Sequence, residues 1–496
     1  MVKKNLPNIL WFCADQMRYD VINALGNKYI NTPRINALIN DGVAIRNCYV
    51  QNQLCTPSRA SFLTGRYPAA HQVYRNGNAF FPKSEVLITK LLADAGYDCG
   101  LVGKLHLSSA SKFEQRPDDG YRFFEWCQNP AWEKVPDTNS YWRWLKEKKN
   151  QDPISLFSNN KKYLKVGIPA EFHQLTWCTE TAISFINKKR KGPWMLSVNP
   201  FDPHPPFDPP PEFLKKYNPR NLPPPLFKNS DILRQKEFSE VRSQKLRSVN
   251  PVLESNSKLK IKDNDDEGTG SKPPEYFDGL AIKAAYYAMI ENIDHQFGLI
   301  LDNLKKNDQI ENTLIIFTSD HGELLGDHGL IYKGCKFFEG LIHVPLIFSW
   351  PKKYKKNITS NALVESIDIA PTLLEACGLD IPYYMQGKSL HGLLTGDKDL
   401  NFHKEVVVTD FNDSLGSSEI NNYTQATMTF DGRYKIAIYH SHKGLGELYD
   451  LEKDPGEFYN LWNDKNCKFL KNNLIARHLD VLMKTIPPGV ERVAPA

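Results

Sequence analysis

Short apolar runs of strand length, several ending on a residue that can do chemistry, constrain this chain most. Residues 8–14 follow Pro7, show no polar alternation and end on Asp15. Such a run reads as a strand buried on both faces of a parallel sheet. Residues 97–102, 194–199, 313–318 and 346–350 read as further strands. Helical patterns lie between them. Thr32-Pro33 opens a helix running to about Asn40, and residues 85–95 and 171–188 have helical spacing. Ile282, Ala285, Met289, Ile293, Phe297, Ile300 and Leu304 mark an amphipathic helix over 279–304. The alternation predicts an α/β class: a large central, mostly parallel or mixed sheet flanked by helices. Ligands of such sheets bind beyond the carboxyl ends of the strands.

The residues delivered to those ends are chemically capable. Asp15-Gln16 follows the first strand. Gly103-Lys104-Leu105-His106 follows the second, and Lys104 and His106 share a face if that segment is extended. The third ends in Pro200-Phe201-Asp202-Pro203-His204-Pro205-Pro206-Phe207, whose prolines hold His204 in a rigid loop. The fourth ends in Ser319-Asp320-His321-Gly322-Glu323, with Lys333 a little further on. An aspartate after a strand is ordinarily a turn former; here Asp320 is matched by Asp15 at another strand end.

A second feature is the stretch Leu54-Cys55-Thr56-Pro57-Ser58-Arg59. Pro57 suits the first turn of a helix, Thr56 is expected to cap it, and Gly65 to end it. Cys55 then sits at or just before a helix N-terminus, where backbone N–H groups favour an anion. Arg59, about one turn along, lies on the same side. Elsewhere a lone cysteine is a small buried hydrophobe; beside a fixed cation it suits attack on a charged oxyester.

Cys55-Thr-Pro-Ser-Arg59, followed by Ala60-Ser61-Phe62-Leu63-Thr64-Gly65-Arg66, resembles the signature of the type I sulfatases of the alkaline phosphatase superfamily. The Lys104/His106 and His204 segments, Asp368-Ile369-Ala370-Pro371-Thr372 and residues 447–451 resemble other parts of that family. The resemblance covers nearly the whole chain and is weakest over 113–170 and 210–275. It implies that Cys55 is converted to Cα-formylglycine, the nucleophile, with Arg59 orienting it. It implies a divalent metal held by Asp15, Gln16, residue 55, Asp320 and His321. Mostly oxygen ligands favour Ca²⁺, with Mg²⁺ open, and the His321 nitrogen keeps Mn²⁺ open. Many members carry Asp-Asp where this chain has Asp15-Gln16, a pair found in choline-sulfatase-like and phosphonate-monoester-hydrolase-like members. Gln16 removes one negative charge and offers its amide oxygen. Lys104, Lys333 and His204 are implied to bind sulfate, with His106 at the leaving group; Lys336 is the alternative to Lys333. Either His106 or His204 serves as acid or base. His71 and Arg75 are candidates for substrate recognition.

The implied reaction is hydrolysis of a sulfate ester on a carbohydrate or other small molecule. The implied partner is a formylglycine-generating or anaerobic sulfatase-maturating enzyme acting on Cys55. Two alternatives stand beside it: a phosphonate monoester or phosphodiester hydrolase with the same nucleophile, and a non-catalytic binder of sulfated glycans.

Composition bounds these readings. A net charge of +5 over 496 residues is too mild for a nucleic-acid partner but compatible with an anionic substrate. Nine cysteines without C-x-x-C pairs indicate neither a zinc ribbon nor a small disulfide scaffold. No apolar run reaches the length of a membrane span, so no membrane partner is expected. The run after Lys3 and Lys4 is too short for a signal peptide. The expected compartment is cytoplasmic, or periplasmic or extracellular if a signal peptide has been trimmed. After Gly387 the texture changes. Residues 405–409, 424–429, 433–439 and 447–451 read as antiparallel strands, and 468–484 as a final helix. The expected division is an α/β domain over 1–387, with a polar insertion over about 210–275, and a sheet-plus-helix subdomain over 388–496. The acidic run 263–268 is expected as a solvated loop. Trp126, Trp132, Trp142 and Trp144 are expected to pack a surface subdomain rather than all to enter the core.

Overall fold

β1 (Asn8–Ala14) lies inside an eight-stranded sheet whose other strands are β2 (Val43–Tyr49), β3 (Asp98–Gly103), β4 (Phe123–Trp126), β5 (Trp194–Asn199), β6 (Thr313–Ser319), β7 (Leu346–Ser349) and β8 (Ile358–Glu365). Their order is β4-β3-β5-β1-β6-β7-β2-β8. The computed structural model describes residues 6–109, 113–131, 138–157, 163–239, 241, 248–252, 276–413, 424–491 and 493. β1 pairs in parallel with β5 and β6, with Ile9 opposite both Met195 and Leu314. β7 alone runs antiparallel to its neighbours β6 and β2, which makes the sheet mixed.

The apolar runs are continuous because both faces are covered. Ile9, Trp11 and Cys13 join one hydrophobic cluster, and Leu10, Phe12 and Ala14 the other. Leu314 and Ile316 alternate with Ile315 and Phe317 in the same way. Helices Gly279–Lys306 and Gln174–Ile186 cover the Leu10 face, and Cys55–Thr64 and Ile369–Ala376 the Trp11 face.

The second sheet is antiparallel: β9 (Val407–Asp413), β10 (Thr424–Phe430), β11 (Tyr434–His440) and β12 (Gly446–Asp450). Helix Lys468–Met483 backs it, and His478 meets Thr427 and Thr429 at 2.8 and 2.9 Å. Val407, Phe411 and Met428 share one core with Val364 of β8. Buried Lys435 ties the second sheet to helix Glu339–Ile342, with Nζ 2.5 Å from Glu339 and 2.8 Å from Glu457.

Some expectations need correction. Thr56 does not cap its helix: the helix begins at Cys55, and Leu54 occupies the cap position without a side-chain bond. Lys104 and His106 do not sit on an extended segment, because His106 adopts φ 59°. Trp126, Trp142 and Trp144 are all buried, the latter two on helix Ser140–Lys149. Trp132 and the acidic run 263–268 lie outside the described residues. The polar insertion includes helix Asn229–Lys236 among its described residues, in keeping with an insertion rather than a core strand. No helix among the described residues is long and apolar enough to cross a membrane.

Candidate active site

Five chain segments meet at the carboxyl end of the sheet. Helix Cys55–Thr64 is buried along its whole length and presents Cys55 at its first position. Gly65 ends it in the left-handed region at φ 68°. The missing cap is supplied from outside, since Asn76 Oδ1 accepts the Thr56 N–H at 2.9 Å.

Around Cys55 the donor and acceptor atoms are dense. Its Sγ lies 3.1 Å from His321 Nε2, 3.0 Å from Lys333 Nζ and 3.7 Å from Asp15 Oδ1. Candidate metal-ligand atoms of Asp15, Cys55, Asp320 and His321 all fall within 4.8 Å of one another, and all four residues are buried. Gln16 joins them: its Oε1 accepts from Lys333 Nζ at 2.7 Å. His321 Nδ1 lies 2.8 Å from the Gly322 carbonyl. That bond places the proton on Nδ1 and leaves the Nε2 lone pair facing the cluster, the usual arrangement of a metal-ligating histidine.

These atoms fit a divalent cation. Two carboxylates, an amide oxygen and an imidazole lone pair converge, and the Lys333 ammonium stands among the Gln16 oxygen, the Cys55 sulfur and His321 Nε2, 3.3 Å from the last. A cationic group already occupies the place such donors stabilise.

The cations are fixed too. Lys104 Nζ meets Asp15 Oδ2 at 2.6 Å with almost no exposure. Arg59 Nε meets Asp320 Oδ2 at 2.8 Å, and its Nη1 donates to the Lys104 carbonyl at 3.0 Å. Arg59 Nη2 is buried and has no partner among the described residues. His204 follows a cis Asp202-Pro203 bond, and its Nδ1 lies 2.6 Å from the Pro205 carbonyl.

Charge tunes the group. Burial pushes the Cys55 thiol up, but Lys104 and Lys333 outweigh it and hold the thiol well below its ordinary value. Burial also opposes ionisation of Asp15, yet Lys104 and His204 hold it well below the usual carboxylate range. Asp320 is pushed up, by burial and by Asp15 beside it. Burial, with Lys333 next, holds His204 down to about 3. Burial and Lys104 hold His106 well below the ordinary histidine value. Both are neutral imidazoles near neutral pH.

The structure therefore gathers Asp15, Gln16, Cys55, Arg59, Lys104, Asp320, His321 and Lys333 by contact. His204 and His106 lie within their electrostatic reach. Lys336 is elsewhere, buried over the Phe238 ring at 3.9 Å. His71 is not in the cluster. Its Nδ1 accepts the Val73 N–H at 3.1 Å, its Nε2 lies 3.0 Å from Ser61 Oγ, and Ser61 donates to the Pro57 carbonyl at 2.9 Å. It braces the Cys55 helix from behind. Arg75 is half-buried on the loop of Asn76, beside the helix start.

Three residues that no motif had marked hold the site. Glu114 accepts the backbone N–H groups of His106, Leu107 and Ser108. Asn76 supplies the cap. Glu323, directly after Asp320-His321-Gly322, accepts from the Gln16 side chain. Its position next to a ligand pair was the one signal available for any of them.

A mixed sheet of this order, with a buried helix and paired carboxylates at the strand ends, defines an alkaline-phosphatase-like fold. The sulfatase family model matches residues 7–379, and a model of the N-sulphoglucosamine sulphohydrolase C-terminal region matches 326–484. The chain belongs to the sulfatase family, a family of sulfuric ester hydrolases. It is 29% identical over 480 residues to an arylsulfatase of Clostridium perfringens, covering 93% of this chain and 91% of that one. It is 26% identical over 501 residues to an N-acetylglucosamine-6-O-sulfatase of Bacteroides thetaiotaomicron, covering 92% and 82%. Its fold is similar to that of a phosphonate monoester hydrolase of Agrobacterium radiobacter, with TM-score 0.80, 23% identity and coverage of 97% and 96%.

Proposed function

We propose that this protein hydrolyses a sulfate ester on a saccharide, with residue 55 as nucleophile after conversion of Cys55 to Cα-formylglycine. The observation that supports the reading most is the placement of the Cys55 side chain. It sits on the first turn of a buried helix, 3.0 Å from a lysine ammonium and 3.1 Å from a histidine lone pair. The N-acetylglucosamine-6-O-sulfatase relative supports a saccharide. The reading calls for a formylglycine-generating or anaerobic sulfatase-maturating enzyme to act on Cys55.

The converted residue supplies a hydrated aldehyde, one hydroxyl of which attacks sulfur while deprotonation of the other later expels sulfate. A divalent cation, Ca²⁺ from the oxygen-rich donors, supplies Lewis acidity beside it, held by Asp15, Gln16, residue 55, Asp320 and His321. Arg59, whose Nη2 is buried and has no partner among the described residues, orients residue 55. Lys104 and Lys333 set fixed positive charge against the non-bridging oxygens, an electrostatic arrangement made before the substrate arrives. His204 and His106 enter the reaction neutral, and an anionic ester beside them raises their proton affinity. One of the two protonates the leaving alcohol. Arg75, beside the helix start, contributes to substrate recognition.

Paired assays on 4-nitrophenyl sulfate and a 4-nitrophenyl phosphonate monoester test the ester class. The expected result is a higher kcat/KM for the sulfate. A clear preference for the phosphonate would replace the sulfatase reading with the phosphonate monoester one.

A further inference from the structure

Gln16 presents a problem that an aspartate would not. A carboxylate offers an oxygen whichever way it turns, whereas an amide offers either an acceptor or a donor. Gln16 is a useful ligand only if its Oε1 faces the cluster.

Two neighbours settle the orientation from opposite sides. Lys333 Nζ can only donate, and it lies 2.7 Å from Gln16 Oε1. Glu323, fully buried, turns only acceptor atoms toward Gln16, and Gln16 Nε2 donates to its Oε2. Glu323 is itself fixed. Its Oε1 accepts the Leu325 N–H at 3.1 Å and also the Tyr332 N–H. Three N–H donors thus converge on its two oxygens. The loop that carries Glu323 is tied to Arg18, which donates to the Glu323 carbonyl at 2.9 Å. The Gln16 backbone is held as well, since its N–H donates to Asp320 Oδ1 at 2.9 Å and its carbonyl accepts from Tyr286 at 2.6 Å. Only the amide flip is left to be decided, and Glu323 and Lys333 decide it together.

We infer that Glu323 is a positioning residue for the metal: by accepting from Gln16 Nε2 it turns the Gln16 oxygen inward and makes a neutral side chain a metal ligand. This rests on the metal reading of the Asp15, Gln16, Asp320 and His321 cluster.

The geometry predicts what an isosteric change does. In Glu323→Gln the new carbonyl must stay on the Leu325 and Tyr332 N–H groups, so the new amide NH₂ faces Gln16 Nε2. Gln16 then meets a donor on each side, Lys333 and the new amide, so its oxygen is no longer locked on the cluster. The isosteric swap Gln16→Glu with Glu323→Gln restores the pattern. The carboxylate now at position 16 accepts from the amide now at position 323 with one oxygen and faces the cluster with the other.

The test is calorimetric titration of the chelator-stripped full chain with Ca²⁺ alone, with thermal melting of each metal-free variant alongside. Wild type is expected to bind. Glu323→Gln is expected to bind about 10- to 100-fold more weakly, the range found for groups that orient ligands, and the double swap to recover most of that loss. Glu323→Gln binding as tightly as wild type would overturn the inference. So would a double swap that folds yet binds no better than the single variant, which decides the matter even where Glu323→Gln fails to fold. Wild type failing to bind any divalent cation would instead contradict the metal reading, and the inference with it.

Discussion

At the residue scale, Lys333 does the most with one atom, since its ammonium touches Cys55, Gln16 and His321. Lys333→Met keeps the apolar stem and removes the charge. It is predicted to lower kcat/KM on the order of 10²- to 10³-fold, the loss typical of a preorganised donor, read by steady-state kinetics on an aryl sulfate. His71 has the opposite character. Burial, with Arg66 adding, holds it down to about 3, while an unfolded histidine titrates near ~6.5. Between these values the unfolded chain takes a proton that the folded state refuses, so stability falls as pH drops from ~6.5 toward 3. His173 and His478, each held to about 4 by burial, act in the same direction. Denaturant unfolding at pH 7 and pH 5 should show His71→Gln losing about 2 kcal/mol less than wild type over that interval; an equal loss would count against this account of His71. The strand-end residues were legible because each follows an apolar run. His71 was not, because a histidine on a short turn carries no mark separating a brace from a ligand.

At the scale of elements, the strand ends position the chemistry by close backbone approach. Gly103 closes β3 at φ 106°, and a Cβ there would lie 2.0 Å from the Asn199 carbonyl oxygen. That oxygen accepts the Lys104 N–H at 2.9 Å, and Asn199 Nδ2 donates to the Lys104 carbonyl at 2.9 Å. Gly103→Ala is predicted to destabilise by at least about 2 kcal/mol and to displace Lys104, so denaturant midpoint and kcat/KM should fall together. Full activity in a folded Gly103→Ala protein would contradict this. Strands β1, β5 and β6 were readable because burial on both faces strips them of charged residues. β2 and β8 were not. Arg46 and Asn47 interrupt β2, and β8, at the sheet edge, leaves Thr359 and Asn361 exposed. The helix start at Cys55 was legible from Pro57, but its cap was not, because Asn76 reaches Thr56 from another loop.

At the scale of the molecule, buried charge joins the two sheets. Lys435 on β11 is held between Glu339 and Glu457, and Lys404 between Glu365 and Asp368. Burial opposes ionisation of Glu339, but Lys435 outweighs it and holds the carboxyl well below the usual range. Lys435→Met leaves the buried Glu457 carboxylate, and the partly exposed Glu339, without their lysine. It is predicted to cost about 3–5 kcal/mol, as breaking a buried pair does, and to lower the midpoint of calorimetric unfolding. A midpoint unchanged from wild type would show that the contact does not hold the second sheet against helix Glu339–Ile342. The antiparallel texture after Gly387 announced the second sheet, whereas pairing between residues this far apart in sequence leaves no local periodicity. The same holds for Glu323, whose partner Gln16 lies at the other end of the catalytic region.

The measurement that tests the central claim most directly is peptide mass spectrometry across residue 55, on protein made with a formylglycine-generating enzyme and shown to hydrolyse a sulfate ester. The account predicts a peptide about 18 Da lighter than the cysteine form, with activity rising in proportion to the converted fraction. Full sulfate-ester turnover by protein that carries only the unmodified Cys55 thiol would contradict it.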